Sequence, residues 1–281
     1  MEISLPVMAA VLASAVLHAG WNALLKSSAD KDLENISLAV GRGVLALAIV
    51  PFLPLPAAAS WPWLAASVIV HIAYFWALAA AYRWGELSFS YPVMRGGAPV
   101  IVALAGVLAF GELLPLAEAL GVALICAGIL GFAIVRGHDP VAQKKALGFA
   151  LLNAFVIASY TMIDARGVRL SGAPVAYAMW FFVCNSLVQC SIGFAVRGRA
   201  VLPHLRRYWP RVMLGGALTL GAYGTALWAM SLAPVALVAA LRETSVIFAA
   251  LIGWLFLGER FTRQRVFATV AVLAGLAALR I

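Results

Sequence analysis

Two arginines stand where arginine is costly. Arg95 lies in "VMRGGAPV" (93–100) and Arg242 in "LRETSV" (241–246), each inside a stretch otherwise apolar enough to be a membrane helix. A charge at the centre of a bilayer helix costs about 2.5–3.5 kcal/mol on insertion scales, so each guanidinium must face protein, a partner or a wet cavity. At membrane depth such groups bind a carboxylate, phosphate or phosphonate through paired, charge-assisted hydrogen bonds. The alternative is a packing device, with the arginines pinned to backbone carbonyls or to Glu243. Glu243 follows Arg242 about 100° round the helix, so the two do not share one face. It is free to pair with Arg95 across an interface or to meet a substrate amine.

Aromatic and amide residues complete the candidate set. Trp21 and Asn22, with Tyr91, Tyr160 and Tyr223, fall inside apolar spans. A buried tyrosine hydroxyl needs a polar partner, so these residues either line an amphipathic cavity or pack. The same rings and Glu243 would also suit a lipophilic cation or drug, because cation–π contacts need only the rings. His18 and His71 can relay protons or simply hydrogen-bond a neighbour. Arg42 can snorkel to the headgroups or enter a cavity. Asp164 reads as an interfacial residue at the end of a span. Glu112 and Glu259 follow glycines at turns that open helices, where a carboxylate stabilises a helix N-terminus by about 0.3–1 kcal/mol.

Several chemistries are not expected. Cys126, Cys184 and Cys190 lie within spans without metal-ligand spacing, which predicts packing roles and no metal or cofactor. HExxH, GxSxG and clustered aspartates are missing from the sequence, so it does not read as an enzyme. A GxxxxGK[ST] motif is missing too, which excludes ATP use by that route.

The elements that must position these groups are membrane helices. The 281 residues are 64% hydrophobic and 11% charged, with mean hydropathy +1.00, more apolar surface than a soluble core can bury. Apolar runs long enough to cross about 30 Å of hydrocarbon predict ten spans, at 4–25, 35–56, 62–84, 87–110, 115–135, 145–164, 174–196, 209–231, 234–257 and 263–280. Period-two alternation is lacking, so a barrel is excluded. The first run lacks a basic leader and reads as helix 1 rather than a signal peptide. Pro92, Gly96, Gly97 and Pro99 predict a kink or short break in helix 4. Ala123, Ala127 and Gly131 predict a close helix contact.

The net charge of +9 does not indicate nucleic acid, because the basic residues sit in short loops. They crowd after helices 1, 3, 5, 7 and 9, whereas the opposite side has only Arg166, Arg169 and Arg280. The positive-inside rule then places the odd-numbered loops in the cytoplasm and both termini outside, in a multi-pass protein of the plasma (inner) membrane.

The chain also repeats. A shift of 147 residues lays "MRGGAPVIVALAGVLAFGE" (94–112) on "LRETSVIFAALIGWLFLGE" (241–259). Arg95 meets Arg242, and Gly111-Glu112 meets Gly258-Glu259. Two five-helix halves, 1–140 and 141–281, follow. An odd number of spans per half requires the second to be inverted, an arrangement common in secondary transporters. Arg95 and Arg242 then lie about 12 Å along their helices from opposite faces, both near the midplane.

Here the sequence resembles the EamA-like family of the drug/metabolite transporter superfamily, whose halves each end in a Gly-Glu turn and an Ala/Gly-rich helix. "FGELLPLAEALGVALICAGILG" and "LGERFTRQRVFATVAVLAGLA" stand in those places. "HAGWNALLK" ends helix 1 on Lys26, as family members do, although Trp21 and Asn22 are spaced differently. Members are also commonly drawn with cytoplasmic termini, unlike the charge count here. The resemblance implies an all-α membrane protein of ten helices in two inverted repeats. It implies transport of a small-molecule substrate by alternating access, driven by a coupling proton or ion or by exchange, with an oligomer possible.

Overall fold

Local chemistry sets several helix starts. Pro6 occupies the first turn of α1 (Leu5–Ser27), where its missing N–H costs nothing. Asp30 caps α2 (Lys31–Ile49), its Oδ1 accepting from the N–H groups of Asp32 (3.1 Å) and Leu33 (3.0 Å). Prolines likewise open α7 (Pro174–Arg197) and α9 (Trp209–Met230). The other helices are α3 (Trp61–Trp84), α4 (Leu87–Phe110), α5 (Leu116–Leu130), α6 (Pro140–Leu170), the short α8 (Val201–Arg207), α10 (Val235–Glu243), α11 (Ser245–Phe256) and α12 (Arg263–Ala278). The structure, a computed structural model, describes residues 3–84, 87–133, 140–256 and 263–279. Gly258, Glu259, Arg136, Arg260 and Arg280 therefore lie outside the described residues.

The described residues hold eight helical segments long and apolar enough to cross a membrane. Each corresponds to one of the expected spans. The remaining two, α5 and α12, have 15 and 16 residues, about 22–24 Å at the helical rise. They pack on each other. The contact stripe is not the expected one: Ala123 and Ala127 are exposed, and the backbones meet instead at Gly121, Gly128 and Gly275. A Cβ on Gly275 would stand 2.7 Å from the Gly121 carbonyl oxygen, so close approach depends on glycine there.

The break expected in helix 4 is not there. α4 runs unbroken through Pro92 and Pro99. The ninth expected span is divided instead, between α10 and α11 at Thr244. The Thr244 hydroxyl donates to the Leu241 carbonyl (2.6 Å), which also receives the Thr244 N–H (3.2 Å). The chain passes from α10 to α11 through this tightened turn, just after Arg242 and Glu243.

Helix packing follows the 147-residue shift in part. α6 packs on α3 and α4, and α1 packs on α9, α10 and α11, the corresponding partners. The seams α2/α9 and α3/α7 correspond as well, yet they differ. At α2/α9 a Cβ on Gly216 would fall into the backbone of Gly41 and Arg42, so the helices touch main chain to main chain. Arg211 adds a bond to buried Glu34 (2.8 Å), and Arg197 pairs with Asp30 at the same end of the bundle. At α3/α7 the tryptophans Trp61 and Trp180 meet edge to face (5.3 Å), and a cleft of about 300 Å³ opens further along.

Candidate functional site

The core of the site is assembled from six helices. Arg95 on α4 and Glu243 on α10 form an ion pair at 2.6 Å (Nε to Oε2), both almost fully buried. This is the pairing between distant helices that their sequence positions allow. Arg95 also approaches His18 Nε2 on α1 (3.4 Å) and lies over the ring of Tyr91 (5.9 Å). Pro99 withholds the backbone bond that the Arg95 carbonyl would receive, leaving that oxygen beside the cluster.

Arg242 is placed differently. The residue is 8% exposed, and its guanidinium carbon lies 4.8 Å from the centre of the Tyr223 ring on α9. Among the described residues no carboxylate stands within ion-pair distance of it and no hydrogen bond holds it. Tyr223 uses its other end for Asp164 on α6: its hydroxyl donates to Oδ2 at 2.5 Å, and the Tyr177 hydroxyl on α7 donates to Oδ1 at 3.1 Å. Asp164 is completely buried. The expectation of an interfacial Asp164 is therefore corrected. It rested on a helix ending at residue 164, whereas α6 continues to Leu170 and leaves the carboxylate well inside.

Rings wall the space between these groups. His71 on α3 stacks against Tyr160 (4.2 Å), which stands edge to face with Tyr223 (6.2 Å) and Tyr74 (6.0 Å). The His71 Nδ1 donates to the Ser67 carbonyl (2.8 Å), which fixes its tautomer. His71 also lines the α3/α7 cleft, so it stands between the cleft and the ring cluster. Arg42 enters the same region from α2. It does not snorkel: its guanidinium donates to Asn185 (2.9 Å), Gln189 (2.5 Å) and Ser186 (3.3 Å) on α7.

Of the candidates read from sequence, Arg95, Arg242, Glu243, Tyr91, Tyr160 and Tyr223 come together. Trp21 joins through an edge contact with His18 (4.9 Å). Asn22 turns back to its own helix, donating to the His18 carbonyl (2.7 Å). Asp164 and Tyr177 were missed, although Asp164 sits four residues after Tyr160 and hence on the same helix face.

Glu112 also needs correction. It does not serve its own helix, α5, which begins only at Leu116. Gly111 takes φ +65°, a left-handed turn suited to glycine, and the carboxylate crosses to the other half of the chain. There Oε2 accepts the Val235 N–H at the start of α10 (2.9 Å), and Oε1 meets Arg169 of α6 (2.6 Å). Arg169, expected only as a loop charge, also donates to the carbonyls of Met230 (2.8 Å) and Ala233 (3.0 Å). One carboxylate thereby ties the end of α4 to the α9/α10 corner, at the end of the bundle opposite the ion pairs that Arg211 and Arg197 make at the start of α2.

Comparison with known proteins agrees with this architecture. Residues 144–281 match the family described as the EamA-like transporter family. No curated protein matches the sequence. One solved crystal structure is similar over 97% of this chain and 94% of its own, with a TM-score of 0.74 at 16% identity, which bears on the fold alone.

Proposed function

From the match of residues 144–281 to the EamA-like transporter family, we propose that the chain is a secondary transporter moving a small anionic or zwitterionic metabolite by alternating access. The membrane-transporter fold is the ground on which this rests. The finer architecture proposed is ten transmembrane helices in two inverted halves, 1–140 and 141–281, supported by the match of Arg95 with Arg242 and by the corresponding packing of α6 and α1. The membrane is the plasma (inner) membrane, and the basic loops favour termini outside.

The observation that carries the substrate class is the state of Arg242. A buried guanidinium backed by an aromatic face and left without a carboxylate is costly unless something supplies the negative charge. A substrate carboxylate or phosphate does so, with Tyr223, Tyr160 and Tyr91 as walls. Arg95 and Glu243 hold each other beside it, and Trp21 and Asn22 remain candidate residues through His18. The competing occupant, a lipophilic cation held by the rings and Glu243, is disfavoured because Glu243 is taken by Arg95.

The test is the thermal unfolding midpoint of detergent-purified protein against anionic, zwitterionic and cationic metabolites, since a bound ligand raises it by mass action. Stabilisation by acids or zwitterions supports the reading. Stabilisation by hydrophobic cations alone overturns it.

A further inference from the structure

Asp164 has no place in the substrate reading, yet it is the most enclosed carboxylate of the cluster. Its two oxygens take one tyrosine hydroxyl each, and no arginine or lysine pairs with it among the described residues. A carboxylate so placed is either a fixed structural anion or one that takes up a proton. The surroundings favour the second. The groups that act on it are Ser67 on α3, Tyr177 on α7, Tyr223 on α9 and Arg242 on α10, with Tyr160 one turn earlier on α6; His71 on α3 stands beside Tyr223, and Arg95 on α4 with Glu243 on α10 make up the neighbouring pair. Arg95 and Glu243 neutralise each other. Of the groups just named, the Asp164 anion and the Arg242 cation have no ion-pair partner among the described residues, and Tyr223 lies between them, its hydroxyl on one and its ring face on the other.

We propose that Asp164 carries the coupling proton, and that proton and substrate anion bind together because both act on the Arg242 charge across Tyr223. This rests on the anion reading of Arg242 given above. With Asp164 ionised, its field offsets Arg242 and repels an incoming anion. A proton delivered from water to a carboxylate oxygen of Asp164 makes it neutral and leaves Arg242 to the substrate. Each ligand then strengthens binding of the other by the same factor, as linkage requires. His71 provides the approach, since it lines the α3/α7 cleft, with Asp32 and Arg197 in its lining, on one side and stacks on Tyr160 on the other. The outcome is cotransport of one proton with one anion in the same direction.

Infrared difference spectra of the reconstituted protein between mildly alkaline and mildly acidic buffer test the proton site. A protonated-carboxyl band should appear on acidification, shift when the four aspartates carry a carbon-13 label, and vanish in Asp164→Asn. The label serves if that variant does not fold. Benzoate is the probe anion: it should bind wild type about tenfold tighter in acid, and Asp164→Asn equally at both pH values. No labelled aspartate band, or an unchanged pH dependence in Asp164→Asn, overturns the proposal. Benzoate that stabilises wild type and not Arg242→Gln, with no aspartate band, leaves the anion reading standing and removes only the proton. Benzoate without effect at any pH counts against the anion reading, and the aspartate band still decides the proton site.

Discussion

Arg95 and Arg242 fall on each other when the chain is shifted by 147 residues, and they do opposite things. Arg95 is neutralised by Glu243, wedged against His18, and held in an unbroken helix despite two prolines and two glycines. Arg242 has only a ring beneath it, and its helix is interrupted two residues later without either breaker residue. The seams repeat the contrast. α2/α9 closes backbone to backbone on Gly41 and Gly216, whereas their counterparts across α3/α7, Val188 and Ile69, accompany a cleft. Positions that match under the shift therefore differ, one closed by an ion pair or backbone contact and the other left with a ring or a cleft. The polar groups follow suit: Asp164 and Tyr223 correspond to Leu17 and Trp76 in the first half.

The largest effect that would break this comparison is on Arg95. Arg95→Leu leaves Glu243 buried and unpaired and should cost about 3–5 kcal/mol of stability, while Arg95→Leu with Glu243→Leu should restore most of it. Thermal or denaturant unfolding of both variants is the check. If the pair did no more than Arg242 does, the single and double variants would unfold alike.

Arg242→Gln, by contrast, should fold like wild type and lose about 2–5 kcal/mol of anion binding, because the charged contact is made only with ligand. Isothermal titration with the most stabilising acid of the panel reads this directly. A variant that unfolds instead would make Arg242 a structural residue too.

The seams sharpen the same point at smaller scale. Gly216→Val must push α2 and α9 apart and should cost about 1–3 kcal/mol, whereas Ile69→Val at the corresponding, largely exposed position should change stability little. Parallel melts of the two variants measure the difference. Smaller again is Glu112→Gln, which gives up the Arg169 pair and the charge at the start of α10. The loss should be about 1 kcal/mol. Its melt should show less than the Gly216→Val change.

Much of this architecture was legible in the residues, and the failures have physical causes. Apolar run lengths located eight helices long enough to cross a bilayer, since a bilayer fixes the length of a crossing helix. The Arg95 and Glu243 pair was one of two arrangements the residues allowed, the other being a substrate amine on Glu243. The break was read into helix 4 because proline and glycine interrupt soluble helices, but in α4 they cost only local backbone bonds. The interruption falls instead at Thr244, where neither proline nor glycine stands, so residue type gave no sign of it. Asp164 was misplaced because the apolar run ends near it, while the helix itself goes on to Arg169, whose bonds to Met230 and Ala233 hold its last turns. Glu112 was assigned to its neighbouring helix because capping is usually local. Its partners lie more than fifty residues away, and nothing in the spacing points to them.

The central claim is that Arg242 binds the substrate charge and Arg95 does not. The most direct measurement is the rise in unfolding midpoint on adding the best acid from the panel, compared between Arg242→Gln and the Arg95→Leu, Glu243→Leu double variant. The account predicts that the double variant keeps the rise and Arg242→Gln loses it. A double variant that loses the rise while Arg242→Gln keeps it would contradict the account and return the binding role to Arg95.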